Sequence, residues 1–375
     1  MPSRMRLLFC IKAMNNPGGG AERVLATVAN GLAARGHDVA VLTFEAPGGR
    51  PFYALDAAVE RIGLGIGSTT GPATPVATLQ RMVALRRRVR RHRPDVAIGF
   101  MHSMFLPLAA ALAGSGIPVV ASEHIVPEHY RSRPLQALLL RLAPPLLARM
   151  TCVTEAAASK YPPALRRRIE VVPNPLTLAS DAQADVAPEA GGPSTLLTVG
   201  RLTAQKDHET LIRAFALLAP RMPGWRLRIV GDGELRGRLE ALVGELGLAG
   251  RVELPGSSAD IASEYLAAQL FVMPSRYESF GLATAEALAY GLPAVGFRDC
   301  PGTNELIEDG VNGVLVDPVP SRPEALAQAL EGLMLDAGRR RRLAGDGAAI
   351  RARYGAAAVL DRWERLLGQT LEGAS

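Results

Sequence analysis

Short apolar runs alternate with longer helical ones along the whole chain, and the series is run through twice. In the first half "MRLLFCI", "DVAVLTF", "DVAIGF", "PVVASE" and "MTCVTE" read as strands, with helical stretches such as "GAERVLATVANGLAARG" and "PVATLQRMVALRRRVRRHRP" between them. In the second half "TLLTVG", "RLRIVGD", "RVELPG", "LFVMPS", "PAVGF" and "GVLVDP" repeat the pattern. A strand that reaches the next strand through a helix must pair with it in parallel, so each series predicts a doubly wound parallel sheet. "LASDAQADVAPEAGGPS" (178–194) lacks an apolar period and reads as a surface linker or loop. The predicted domains are therefore 1–177 and 195–354, joined by 178–194. A ligand is expected at the carboxyl ends of both sets of strands, in a cleft between the domains. The closing segment "YGAAAVLDRWERLLGQT" (354–370) carries Val359, Trp363, Leu366 and Leu367 on one side and needs a partner surface.

A chain of 375 residues with 48% apolar and 21% charged content can build two cores, and it is not a disordered sequence. The first residues, "MPSRMRLLFCIKAMNN", are too poor in apolar side chains for a signal-peptide core. "LPLAAALAGSGIPVVAS" (106–122) is broken by Gly114, Gly116 and Pro118 and falls short of the ~20 residues of a spanning helix. Cys10, Cys152 and Cys300 are scattered and read as buried, reduced thiols of a cytoplasmic protein. Charge is uneven, at net +12 over residues 1–180 and net −6 over the rest.

The residues with chemistry to offer sit in strand-to-helix loops. "VGRLTAQKDHETLIRAF" (199–215) puts Arg201 and Lys206 after the first strand of the second domain, with Asp207 or His208 at the helix start. Two cations there suit a diphosphate, which arginine holds by a fork and lysine as a point charge; the bland reading is a pair of surface cations. "PSRYESFGLATAEALAYGLPAVGF" carries Glu278 in a loop and Glu286 one turn inside a helix. Eight helical steps would leave them about 80° and roughly 12 Å apart, too far to share a proton. The amides near Phe280, Gly281 and Leu282 then face an anion between the carboxylates; the bland reading is a dipole-complementing or solvated glutamate. Gly231 in "VGDGEL" permits a close backbone approach, or is only a turn. In the first domain Gly18, Gly19 and Gly20 open a helix without the Gly-x-Gly-x-x-Gly spacing of dinucleotide binders, which counts against a dehydrogenase. His102 and His124 lie at strand ends, where a lone histidine is commonly structural.

Taken in order, "GRLTAQKDHETLIRAF", "VGDGEL", "PSRYESFGLATAEALAYGLPAVG" and "GTNELIEDGVNGVLV" resemble the carboxyl-terminal domain of retaining GT-B glycosyltransferases of family 4. "PGGGAERV" resembles that family's amino-terminal domain, and "SEH" is similar to members that build bacterial polysaccharides and oligosaccharides. The resemblance implies two Rossmann-like α/β domains facing each other across a cleft, the terminal helix (355–375) packing back on the first. Arg201 and Lys206 would bind the donor diphosphate and stabilise the leaving nucleotide, and Glu286 would accept from the ribose. Glu278 would contact the donor sugar, as would His124, which would face the acceptor too. Gly19 and Gly20 would lie near the phosphates, alongside Gly231, Phe280, Gly281 and Leu282. Ser279 stands where many members have glycine.

No acidic metal triad is apparent, so the two cations replace a divalent ion and the one co-substrate implied is a nucleotide-sugar. Retention is implied by the resemblance alone, and both a covalent intermediate and front-side attack stay open. "RMVALRRRVRRHRP" (81–94) concentrates seven arginines, among them Arg86, Arg87, Arg88, Arg90 and Arg91. Together with "RSRPLQALLLRLAPPLLARM" (131–150), it reads as a surface for anionic lipid or a polyprenyl-diphosphate acceptor, or as a solvated helix face. With 5% aromatic residues there is little to stack bases, so nucleic acid is not expected. The reading is a hexosyl or N-acetylhexosaminyl transferase using a UDP-sugar, with GDP-mannose second, at the inner face of the membrane. Its alternatives are a sugar-phosphate or disaccharide synthase and an inactive sugar-nucleotide-binding scaffold.

Overall fold

The computed structural model describes residues 4–15, 19–67, 74–126, 130, 133–188, 193–345 and 347–373. The chain divides into two compact units, one of residues 1–175 with 354–375 and one of 176–353.

The first unit holds seven parallel strands: β1 (Arg6–Cys10), β2 (Asp38–Thr43), β3 (Glu60–Gly63), β4 (Val96–Phe100), β5 (Val119–Ser122), β6 (Arg149–Cys152) and β7 (Ile169–Val171). They lie in the order β3-β2-β1-β4-β5-β6-β7, all paired in parallel. The order reverses between β1 and β4, so the crevice that such sheets offer a ligand opens at the carboxyl ends of those two strands. Strands β3 and β7 were not read from the sequence; they are edge strands of four and three residues with only one neighbour each. Neither carries the apolar run that marks the buried centre, where β4 reads as five consecutive buried residues.

The helix Ala356–Glu372 belongs to this first unit and buries Val359, Trp363, Leu366 and Leu367. Trp363 packs on Phe9 at 6.3 Å and on Phe100 at 6.2 Å between ring centroids. An indole of this size buries about 150–250 Å², on the order of 5 kcal/mol of apolar transfer. Outside the apolar seam, Arg35 pairs with Asp361 at 2.7 Å and Glu364 at 2.6 Å, and His37 meets Glu364 at 2.9 Å. Gly31 lets the helices close, since a Cβ there would lie 2.4 Å from Leu360.

The second unit holds β8 (Ser194–Val199), β9 (Trp225–Val230), β10 (Val252–Gly256), β11 (Leu270–Met273), β12 (Ala294–Phe297) and β13 (Gly313–Val316). Their order is β10-β9-β8-β11-β12-β13, again all parallel, and it reverses between β8 and β11. Leu196, Phe215, Leu227, Leu270, Phe297 and Leu330 form the centre of its core. The segment expected to be a linker runs along this unit rather than away from it. Ala184 N donates to Tyr290 O, Arg340 Nε to Val186 O and Arg341 to Ala187 O, and Val186 and Ala187 are buried. Its polar composition hid this because the ties are made by its backbone, while residues 189–192 lie outside the described set.

Candidate functional site

In the second unit, the loops that leave β8 and β11 emerge side by side at the point where the strand order reverses. Residues 200–207 and 274–281 are stitched together there. Arg276 N donates to Gln205 O at 2.9 Å and Gln205 Nε2 to Tyr277 O at 2.8 Å. Lys206 Nζ lies 2.7 Å from Glu278 Oε1, with both side chains largely withdrawn from solvent. Ser275 Oγ donates to the same carboxylate oxygen at 2.5 Å, and Glu278 N donates to Pro301 O at 2.9 Å. Glu278 is thus held by three strand-to-helix loops, those after β8, β11 and β12.

Beneath the pair, Asp207 adopts φ 50° at the start of the helix His208–Leu218 and turns its carboxylate toward Arg276 at 3.2 Å and Arg322 at 3.6 Å. Arg322 also donates to Ser275 O at 3.1 Å, ion-pairs with Asp299 at 3.0 Å and lies 3.6 Å over the Phe297 ring. This arginine fixes the loop that carries Ser275 and Glu278. Arg201, by contrast, is exposed and has no ion pair among the described residues. His208 is 2% exposed; burial, helped by the Lys206 charge, pushes it down to about 4, so its ring is neutral at neutral pH.

Glu286 lies inside the helix Leu282–Ala289, 4% exposed, and Tyr265 donates its hydroxyl to Oε2 at 3.0 Å. Gly281 caps that helix at φ 90°, a left-handed position that favours glycine. The first intrahelical bond runs from Ala285 N to Gly281 O, so the amides of Leu282, Ala283 and Thr284 precede it. Phe280 is buried. Gly231 allows a close approach between two backbone segments. At φ 146° it packs under the neighbouring loop, and a Cβ there would lie 2.0 Å from Gly200 O. Gly200 in turn makes room for Lys206, whose Cδ and Cε would lie 3.3 Å from an added Cβ. The geometry offers a cation, a fixed carboxylate and helix-terminal amides on one sheet edge, a set suited to an anion carrying hydroxyls.

In the first unit, His102 and His124 stand at the carboxyl ends of β4 and β5. Met101 takes φ 67°, a strained backbone for a non-glycine residue, to turn the chain into the helix His102–Leu112. His102 is buried with its ring edge-on to Tyr130 at 5.0 Å. His124 stacks on Phe100 at 4.9 Å and its Nε2 meets Ser122 Oγ at 2.9 Å; burial pushes its pKa down to about 4. Between them lies Glu123, 1% exposed, which accepts from His124 N at 3.0 Å, Ile125 N at 3.2 Å and the Tyr130 hydroxyl. Burial raises this carboxyl to about 7. Gly19 and Gly20 open the helix Gly20–Ala34, with Gly19 extended at its N-cap and Glu22 in the first turn. Gly18 lies outside the described residues.

The helix Pro75–His92 carries Arg86, Arg87, Arg88, Arg90 and Arg91, and these five separate into two groups. Arg86 donates to Ala111 O at 2.6 Å and Ala113 O at 3.0 Å, and Arg88 pairs with Glu60 at 3.3 Å. Arg87, Arg90 and Arg91 are exposed. No cluster of three or more His, Cys, Asp or Glu fit to hold a metal occurs among the described residues, and none of their helices is long and apolar enough to cross a membrane.

A model of glycosyl transferases group 1 matches residues 180–348, and a model of glycosyltransferase family 4 matches residues 18–180. The chain belongs to the family 4 GT-B glycosyltransferases. This glycosyltransferase is 30% identical to an exopolysaccharide phosphotransferase of Streptomyces coelicolor over 93% of its own chain, but spans 39% of that relative's length. It is 26% identical to a Campylobacter jejuni relative, matching over 97% of this chain and 99% of the other. That relative is named GalNAc-alpha-(1->4)-GalNAc-alpha-(1->3)-diNAcBac-PP-undecaprenol alpha-1,4-N-acetyl-D-galactosaminyltransferase. Among solved structures, Anabaena HepE in complex with UDP shares the fold at a TM-score of 0.75 and 20% identity, over 97% of this chain and 100% of that one.

Four residues of the glycosyltransferase's candidate site were not singled out from its sequence. Ser275 and Glu123 each lie just past a strand end, which is the one local signal they carry. Arg322 and Tyr265 reach the site from distant elements, and nothing in their own surroundings marks them.

Proposed function

We propose that this glycosyltransferase moves a hexose or N-acetylhexosamine from a nucleotide-sugar to a lipid-linked or polysaccharide acceptor, with retention at the anomeric carbon. The observation that carries the reading is the Lys206–Glu278 pair at the reversal of strand order in the second sheet. In this role Lys206 and the exposed Arg201 hold the diphosphate and take up the charge that develops as the bond to C1 breaks. A fixed donor of this kind typically contributes ~3 kcal/mol, about a hundredfold in rate. Glu278 accepts from donor-sugar hydroxyls, Glu286 from the ribose, and the amides of Leu282 to Thr284 face phosphate oxygens. Phe280 and Gly281 shape that turn, Gly231 keeps the loops together, and Gly19 and Gly20 present amides to the donor.

The acceptor hydroxyl attacks C1 on the face from which the diphosphate leaves, and its proton passes to the departing phosphate oxygen. A histidine with a pKa near 4 is a weak base, so His124 orients a hydroxyl rather than removing its proton. His102 and Glu123 hold that edge. In this reading the two cations take the place of a divalent ion. A UDP-sugar is favoured, with GDP-mannose second; the UDP bound by HepE supports the first. The name of the Campylobacter relative supports a polyprenyl-diphosphate-linked acceptor. Arg87, Arg90 and Arg91, with the exposed Val76, Leu79 and Val83 on the same helix, support a peripheral seat on the cytoplasmic face of an anionic membrane.

The test is thermal stabilisation by UDP, GDP and ADP and their sugars. A ligand at a hundred times its dissociation constant adds ~2.7 kcal/mol to stability. One nucleotide should raise the melting temperature of the native chain and leave Lys206→Met unmoved. A folded sample indifferent to all of them refutes the donor reading.

A further inference from the structure

The helix Pro134–Leu142 is anchored to the first unit by the buried Leu140, with Ala137 packed partly buried beside it. Leu135, Leu138, Leu139 and Leu142 are 68%, 51%, 44% and 61% exposed, at the i, i+3, i+4, i+7 spacing of one face. Leu146, in the turn that follows, continues the stripe. A contiguous apolar stripe of this kind marks a contact surface. At its end opens a cavity of about 710 Å³, lined among others by Pro144, Pro145, Arg149, Arg167 and Arg168. Among the described residues, arginines are its only ionisable lining. Arg168 is spent on Leu147 O at 2.7 Å, while Arg149 and Arg167 have no ion pair among the described residues. From 133 to 168 the sequence holds seven Lys or Arg against one Glu.

We propose that this helix and cavity form an insertion seat on an anionic phospholipid bilayer: the leucines enter the boundary between headgroups and acyl chains, and Arg149 and Arg167 take a headgroup phosphate. The inference rests on the membrane-surface reading above and deepens it by naming the element that enters the lipid. Charge decides the occupant. A second copy seated here would bring Arg141 against its own counterpart with no carboxylate on the stripe to compensate, whereas an anionic bilayer answers every cation at the rim. The cavity lies at the amino ends of β6 and β7, on the edge opposite His102 and His124. It therefore suits a structural lipid and leaves the acceptor's path clear.

All three native cysteines are buried, so Leu138→Cys can be labelled selectively with an environment-sensitive fluorophore. With vesicles of phosphatidylcholine and phosphatidylglycerol, the emission should shift to the blue and be quenched by brominated acyl chains. Leu138→Ser with Leu142→Ser should weaken vesicle binding about tenfold or more, and Arg149→Gln with Arg167→Gln should weaken it severalfold. Both variants should keep the melting temperature of the native chain. If the protein floats with vesicles while the label at 138 stays in water, the seat is elsewhere: this proposal fails and the membrane reading stands. If nothing floats, both fail. A dimer in solution dispersed by the serine substitutions, without vesicle binding, makes a second copy the occupant and overturns the proposal.

Discussion

Lys206 and Glu278 come from loops after strands β8 and β11, 72 residues apart in sequence, and meet at 2.7 Å with Ser275 donating to the same carboxylate oxygen. The pair is largely buried, so its two members are coupled in stability as well as in any chemistry they perform. Removing one partner of such a pair leaves a desolvated charge behind, at about 3–5 kcal/mol, while replacing both is far cheaper.

Lys206→Ala should therefore lower the melting temperature as well as turnover. The double variant Lys206→Met with Glu278→Gln should recover most of the stability yet remain at least about a hundredfold slow in transfer. Thermal melts beside a donor-turnover assay separate the two effects. A double variant no more stable than Lys206→Ala would show that the pair is not energetically coupled.

Two glycines give opposite expectations. Gly231→Ala puts a Cβ 2.0 Å from Gly200 O at a φ that side chains rarely adopt, and should cost about 3 kcal/mol or more. Gly20 has nothing within 4 Å of an added Cβ and begins a helix, so Gly20→Ala should leave the fold as stable or slightly more so. If Gly20 serves ligand approach, the same variant binds donor more weakly; an unchanged donor affinity by calorimetry would remove it from the site.

The buried His208 and Glu123 titrate in opposite senses. His208 is about 4 in the folded chain against an ordinary 6.5, so between those values the unfolded chain takes up a proton that the folded chain refuses. Its contribution is full above pH 6.5 and is lost as pH falls toward 4. Glu123 is raised from 4.5 to about 7, so its contribution is full below 4.5 and is lost as pH rises through 7. Each is worth up to roughly 3 kcal/mol. His208→Gln should flatten the acid limb of a stability–pH profile and Glu123→Gln the upper limb, measured by denaturant unfolding across pH 4–8. Limbs that keep their slopes in both variants would assign the pH dependence to other groups.

The two parallel sheets were legible because a buried central strand is written as an unbroken apolar run, as in β4, β11 and β12, while the other strands of the second sheet keep enough apolar residues between glycine and proline turns to be read beside them. β3 and β7 were not legible, since an edge strand needs one partner and tolerates charge, as Glu60, Arg61 and Glu170 do. Local sequence also put Lys206 and Glu278 each in a loop beyond its strand. Their contact was not written there, because it depends on β8 and β11 lying side by side, a property of strand order rather than of either segment. Arg322 and Tyr265 were invisible for the same reason. The polar stretch 178–188 misled because its ties to Tyr290 and Arg340 run through backbone groups that every sequence possesses.

The arginine-rich helix Pro75–His92 separates fold from surface. Arg86 donates to the last carbonyls around the end of the helix His102–Leu112, Ala111 O and Ala113 O, a position where a cation also complements the helix dipole. Arg86→Gln should cost about 1–2 kcal/mol of stability, since two carbonyls lose a charged donor. Arg87, Arg90 and Arg91 are exposed, and changing all three to Gln should leave stability within about 0.5 kcal/mol. On anionic vesicles the ranking reverses. The triple variant should lose most of its salt-sensitive binding, at about 1 kcal/mol per cation near the surface, while Arg86→Gln loses little. Vesicle flotation at two ionic strengths reads this directly, and a triple variant that floats as well as the native chain would leave this helix with no part in membrane contact.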